Sequence, residues 1–416
     1  MKYHFAQYVI VVDSIVIIQD MPELVDVFKQ KSNEMTRVPI NPQLLIWARE
    51  RAGIDMHTLA HHFPKLAEWE AGTVQPTLHQ LEEFARTVHV AIGYLFLPTP
   101  PNEPLPIADF RTIGGYDTPR HSPNLLDTIY LCQQRQDWFR DYARMHALPT
   151  HSFVGSATIH DAPEDVAHAM RQILAINIAE RQQQPSWTHA LRQLMLDADR
   201  AGILVMASGI VGSNSHRKLS VEEFRGFALT DTLAPLIFIN TADSKAAQMF
   251  TIGHELAHIW LGESGISNTT IVQSTKSDSE RWCNAVAAEL LMPLAMVKKY
   301  QVDQNQITAE MQKLAQHFKV STLVALRRLY DAGFIDQSTL WNSYHDELTR
   351  IQNEQKTGNG GNFYRTLATR TSMRFARAVL SSTLEGHTLF QEAFQLLGVR
   401  KTATFYAAAR ELEVLK

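Results

Sequence analysis

The chain has 416 residues, 45% of them hydrophobic, which is enough material for roughly two to four domains with cores of their own. A formal charge of −4 gives no general attraction to nucleic acid, and no apolar run reaches the length of about 18 residues that a membrane-spanning helix needs. The only two cysteines, Cys132 and Cys283, exclude a disulfide framework and suit a reducing cytoplasm.

Residues 1–34 form an N-terminal extension built around YVIVVDSIVII, residues 8–18. Only Lys2 precedes that run as a positive charge and no A-x-A-like cleavage site follows it, so a buried strand is preferred to a secretory core. A third reading starts the native protein at Met35.

Residues 36–97 read as several short helices. The pattern Leu59-Ala60, Trp69-Glu70-x-Gly72, then Pro76-Thr77-x-x-Gln80-Leu81-Glu82-x-x-Ala85 resembles the XRE-type helix-turn-helix of phage repressors. Only residues 61–68 separate Ala60 from Trp69, whereas that family has about a dozen there, including most of the helix that enters the major groove. The recognition helix is thus expected to be short. Four basic residues (Arg49, Arg51, Lys65, Arg86) face six acidic ones (Glu50, Asp55, Glu68, Glu70, Glu82, Glu83) over residues 41–97. Phosphate binding needs the opposite balance, so protein contact is favoured over DNA contact here.

Five prolines in residues 97–106 predict a semi-rigid linker, assigned to 98–108. Residues 109–190 are expected to be a helical scaffold, with Leu125, Leu126, Ile129, Leu131, Trp138 and Tyr142 on roughly one side of its main helix. The next region, 191–300, changes period. ILVMA, FRGFALT and APLIFIN, within residues 203–240, are short, branched and aromatic, and separated by turn formers, as strands of a small sheet are. The Gly- and Ser-rich stretch 208–220 between the first two is expected to be a mobile loop. From it His216 or Arg217 could stabilise an oxyanion, although an exposed polar loop is the plainer reading.

FTIGHELAHIWLGESG, residues 250–265, then places apolar residues at three- and four-residue steps, with Asp243 or Ser244 available to cap a helix and Gly262 to end it. On that helix His254 and His258 lie one turn apart on one face, the placement two imidazoles need to share a metal ion. Glu255 sits about 100° round, able to reach a water beside the ion without ligating it. A hydrolytic zinc ion takes three protein ligands and keeps a fourth position open. Glu280, 22 residues past His258 on a second helix capped by Ser277 or Ser279, is the preferred third ligand, and Glu289 is its rival. Glu280 is preferred because Asn284, one turn on, could accept a hydrogen bond from the outer nitrogen of a ligating histidine.

Beyond this, residues 301–340 carry a helix-turn-helix-like rhythm (Leu314, Ala315, Phe318, Val320, Ser321, Ala325, Leu329), with Lys313, Lys319, Arg327 and Arg328 adding charge. Residues 341–416 are expected to be a helical tail. From Phe363 onward it holds eight basic and four acidic residues, with Arg370, Arg374 and Arg377 at helical spacing, a face suited to an acidic partner or phosphate if it is more than a solvated surface.

The paired motifs F-T-I-G-H-E-L-A-H and E-x-x-C-N-x-x-A-A-E-L-L-M-P resemble those of the ImmA/IrrE family of metallopeptidases over roughly residues 190–335. The chain departs from that pattern at Cys283, where the family has Ala, and at Val286, where it has Phe. The resemblance implies an α+β, mostly helical fold, in which a small thermolysin-like zincin domain with a short mixed or antiparallel sheet is flanked by helical modules. It implies one Zn2+ per chain (Mn2+ being the alternative), held by His254, His258 and Glu280, with Glu255 catalytic. It also implies an edge strand that pairs with extended substrate, for which Phe224, Gly226 and Ala228 are the candidates. The substrate would be a repressor-like or antitoxin-like protein encoded nearby, and family members use the 307–335 segment largely to pack behind the peptidase. The competing expectation is a non-catalytic regulator or antitoxin-like protein that binds DNA or a partner through its helical modules.

Overall fold

The computed structural model describes residues 37–109, 121–267, 277–354 and 363–415, so the apolar run at 8–18 lies outside the described residues. The chain divides into two compact units, Met1–Glu103 and Pro104–Lys416.

Among the described residues of the first unit four helices follow one another: α1 (Pro42–Ala52), α2 (Met56–His62), α3 (Leu66–Glu70) and α4 (Leu78–Thr87), with a 3-10 turn over Ile92–Phe96. Local chemistry sets their ends. The Asn41 side chain accepts the Gln43 N–H ahead of α1, and Gly53 at φ 64° stops it. Asp55 caps α2, and Thr77 and Gln80 form a reciprocal capping box on α4. Leu44, Leu45, Leu59, Leu66, Trp69, Leu81 and Phe84 make the core. The third helix has only five residues, and its two large apolar ones, Leu66 and Trp69, are both buried. Arg49 is held by Glu70 at 2.8 Å and Arg51 by Glu103 at 2.5 Å, so two of the unit's few cations already face carboxylates.

The second unit begins with β1 (Ala108–Asp109), α5 (Pro123–Met145), α6 (Pro163–Ile173), α7 (Ile178–Gln182) and α8 (Trp187–Arg200). Then come β2 (Leu204–Ser208), β3 (Gly226–Leu229), β4 (Leu236–Asn240), α9 (Lys245–Leu261), β5 (Gly265–Ser267) and α10 (Asp278–Leu291). The remainder is helical: α11 (Leu294–Val297), α12 (Ile307–Phe318), α13 (Thr322–Asp331), α14 (Gln337–Glu354), α15 (Phe363–Thr371), α16 (Met373–Leu384), α17 (Phe390–Leu397) and α18 (Thr402–Glu411). The fold is α+β and mostly helical around one small mixed sheet.

The sheet runs β1-β5-β3-β4-β2, with β2 parallel to β4, β3 antiparallel to both β4 and β5, and β1 parallel to β5. Its two faces bury different cores. Val205, Ala207, Ala228, Ile237 and Ile239 point into the core shared with α9 and α10. Leu204, Met206, Phe227, Leu229, Leu236 and Phe238 point into a second core, with α5 and the tail helices. Covered on both sides, the strands read as unbroken apolar runs rather than alternating ones.

Several segments that the sequence divides are packed as one. Val166, Ala167 and Met170 of α6, from the expected scaffold, share the core of α9 and α10. So do Leu314, Ala315, Phe318, Val320, Ala325 and Leu329 of the helix-turn-helix-like stretch. The charges of that stretch are partly committed as well: Arg328 is buried 3.1 Å from Glu289, and Arg327 lies 2.8 Å from Asp331.

The expectation of an edge strand at 224–229 is overturned. β3 lies in the interior of the sheet: Gly226 pairs with Ile239 on one side and Ser267 on the other, and Ala228 with Ile237 and Gly265. Its backbone groups are taken on both flanks, which leaves none for an extended substrate. Phe224 precedes the strand and packs in the second core against Phe227 and Phe238. The outer strands among the described residues are β1 and β2. The cue that misled was the run's aromatic, branched composition, which marks a strand without giving its place in the sheet.

Candidate metal centre

Helix α9 starts where the Ser244 hydroxyl accepts the Ala247 N–H and stops at Gly262, whose φ of 75° no branched residue would adopt readily. Every residue from Gln248 to Trp260 is buried. Its polar side chains must therefore find partners inside the protein, because an unpaired polar group in that setting is costly. Helix α10 begins with the Ser277 hydroxyl accepting the Glu280 N–H. It lies close along α9: a methyl on Gly253 would sit 3.4 Å from the Cβ of Ala287, so small residues at this crossing bring the two helices together.

The crossing brings His254, His258 and Glu280 to one point, with one ligand-type atom from each within 4.8 Å of the others. The two Nε2 atoms are 3.1 Å apart, Glu280 Oε1 is 3.0 Å from His258 Nε2, and Glu280 Oε2 is 3.4 Å from His254 Nε2. Atoms bound about 2.0–2.2 Å from one ion at tetrahedral angles lie about 3.4 Å from each other, so the spacing suits a metal. The donor chemistry agrees. His254 Nδ1 donates to Asn284 Oδ1 at 3.0 Å, which fixes that proton on the outer nitrogen and leaves a lone pair on Nε2. His258 Nδ1 faces the Glu263 carboxylate at 3.6 Å, a negative charge that favours a proton on this outer nitrogen and a lone pair on Nε2. Two imidazole lone pairs and a carboxylate converging in a buried space ask for a cation, and the three side chains can hold one.

Glu255 stands beside this group without joining it. The Ser267 hydroxyl of β5 donates to its Oε1, whereas Oε2 is buried and has no hydrogen-bond partner among the described residues. Gly226 makes room for the carboxylate, since a methyl there would lie 2.9 Å from Oε1 and 2.7 Å from Thr251 Cγ2. The close approach that this glycine permits is by α9, not by a substrate. Burial pushes the Glu255 carboxyl up to about 6. Burial also works against ionisation of Glu280, yet positive charge on the imidazoles beside it, His254 foremost, holds that carboxyl down at about 2, a charge that a bound cation would supply instead. One acid is thus kept as an anion and the other is poised to exchange a proton near neutrality.

The remaining candidates lie elsewhere. Glu289 is paired with Arg328 and accepts from the Leu294 N–H at 3.2 Å, so it is engaged at the far end of α10 and is not a ligand. Arg217 is bound to Asp127 at 2.7 Å and to Asn124 Oδ1 at 2.9 Å, at the start of α5. Flanking residues Val211 and Leu219 belong to the second core, across the sheet from α9, and His216 is exposed there. The structure therefore does not bring His216 or Arg217 to the cluster, and their assignment to an oxyanion is withdrawn. Sequence reasoning missed Ser267, Glu263 and the contact of Cys283 with His258. Glu263 had a signal, an acid just past the helix-ending glycine. Ser267 had none, because a three-residue strand is too short to leave a periodic trace.

The IrrE N-terminal-like domain, a peptidase family, matches residues 198–330. The match runs from the end of α8 almost to the end of α13 and includes all three residues of the cluster, Glu255 and Asn284. A domain of unknown function matches residues 371–411. No curated protein matches the chain.

Proposed function

We propose that this protein is a zinc-dependent endopeptidase that cuts a repressor-like or antitoxin-like protein encoded nearby, and so regulates transcription or a stress response in the cytoplasm. The observation that carries the reading is the orphaned Oε2 of Glu255 beside a three-ligand cluster. A metal site that serves only structure usually closes its fourth position and has no use for such a carboxylate. The peptidase-family match over 198–330 supports the reaction class, and the resemblance of the paired motifs supports the class of substrate.

His254, His258 and Glu280 would hold the ion, which when bound supplies Lewis acidity toward a peptide carbonyl and lowers the pKa of a water toward neutrality. The chain's own part falls to Glu255. Ser267 anchors Oε1, leaving Oε2 to take a proton from the attacking water and return it to the departing amine. Asn284 holds His254 in the tautomer that can ligate, and the charge of Glu263 favours the same tautomer of His258. The first unit is read as a module for protein contact.

One observation favours the second reading, a non-catalytic regulator with a structural metal: His254, Glu255 and His258 are 0% exposed and Glu280 is 2% exposed, and a peptidase must admit a peptide. Wild type and Glu255→Gln, each incubated with the purified product of an adjacent repressor-like gene, separate the two. The peptidase reading expects equal zinc content and cleavage by wild type alone, followed by mass spectrometry. Equal behaviour of both proteins would support the regulator.

A further inference from the structure

A cavity of about 550 Å³ opens between α5, the end of α8 and the start of α16, on elements that contribute nothing to the metal cluster. Its volume falls within the range of about 300–1,000 Å³ that small-molecule sites occupy. Three guanidinium groups line it, from Arg200, Arg374 and Arg377. The acid in the wall, Asp199, is already engaged: its carboxylate accepts from the Ser372 hydroxyl and, at 2.9 Å, from the Arg374 N–H, capping α16. Among the lining residues, three guanidinium groups thus stand against one carboxylate that is already engaged.

Those cations are only loosely held. Arg374 makes no ion pair among the described residues, its Nε is buried without a hydrogen-bond partner, and its guanidinium lies over the Phe139 ring at 5.7 Å. Arg200 reaches only Asp197, at 3.4 Å, and is 71% exposed. Arg377 donates Nε to the Leu412 carbonyl at 3.0 Å and keeps a distant contact of 3.6 Å with Glu413. Tyr142, partly exposed, adds ring surface to the lining and Leu148, Leu196 and Met373 add aliphatic surface, with Phe139 lying beneath Arg374. Guanidinium forks match phosphate oxygens in pairs, and a flat apolar body suits an aromatic wall.

We infer that this cavity binds a small phosphate monoester with a flat apolar body, a nucleoside monophosphate or an aryl phosphate, at a site that gives the matched domain of unknown function a ligand-binding role. The inference stands apart from the peptidase reading, because no cluster residue lines the cavity.

Isothermal titration of the full chain with phenyl phosphate, adenosine monophosphate and inorganic phosphate tests it. One saturable site per chain is expected for both esters, with inorganic phosphate weaker and all binding weakened by salt. Arg374→Gln should weaken the esters by at least about tenfold. Because that side chain also packs on Phe139, Arg377→Gln and Arg200→Gln, which alter exposed groups, should each weaken them severalfold. No saturable binding of either ester at millimolar concentration would overturn the inference, as would undiminished binding to all three variants or inorganic phosphate binding as tightly as the esters.

Discussion

Replacing Gly226 by alanine tests whether the sheet cradles the Glu255 carboxylate. The new methyl would lie 2.7 Å from Thr251 Cγ2, 2.9 Å from Glu255 Oε1 and 2.9 Å from the Phe238 carbonyl oxygen, all closer than real Cβ contacts come. That oxygen belongs to β4, which is paired on both flanks, so it cannot retreat without straining the ladder. Thr251 sits in a buried helix and donates to the Ala247 carbonyl at 3.1 Å. The group left to yield is the Glu255 carboxylate. Overpacking of this kind costs about 1–3 kcal/mol, which for a unit of this size lowers the melting temperature by a few degrees. A displacement of about 1 Å at a reacting group costs on the order of 100-fold in rate. The methyl touches none of the three ligands, so zinc content should hold. Thermal unfolding, metal analysis and the rate of partner cleavage read these together. Wild-type rate and wild-type melting temperature in the variant would refute the cradle.

Other perturbations separate the roles of neighbouring groups. Asn284→Ala should lower zinc affinity about 10- to 100-fold in competition with a chelator, and an unchanged affinity would remove Asn284 from the support of His254. Ser267→Ala should leave zinc bound and reduce kcat about 10- to 100-fold with little change in KM, whereas a parallel rise in KM would point to a general structural effect. Glu289→Gln leaves the buried Arg328 cation with Asp331 as its remaining anionic partner and should cost about 1–3 kcal/mol in denaturant unfolding with zinc content unchanged; loss of zinc would put Glu289 among the ligands instead.

What the sequence made legible follows from the range of the interactions involved. Two histidines four apart on a helix, and an acid with an amide one turn on, are local patterns, so His254, His258, Glu280 and Asn284 could be named before any coordinates. Helix ends were readable for the same reason, since Ser244, Ser277 and Gly262 act within their own first or last turn. Sheet order was not. The strands of residues 203–240 can be recognised singly, but the placement of β3 between β4 and β5 depends on a three-residue strand beyond α9. Arg217 shows a related limit. Its partner Asp127 lies 90 residues earlier in the chain, and nothing near residue 217 announces that the guanidinium is already taken. Glu289 stood as the rival of Glu280 and ranked below it for want of an amide one turn on, but that its carboxylate goes to Arg328 depends on a residue 39 positions away.

Zinc K-edge X-ray absorption on the purified full chain tests most directly whether three ligands hold one ion with a position left open. One zinc per chain is expected, with only nitrogen and oxygen neighbours at about 2.0–2.2 Å, two of them imidazoles. A sulfur neighbour at about 2.3 Å would place Cys283 on the metal and close the site, contradicting the account.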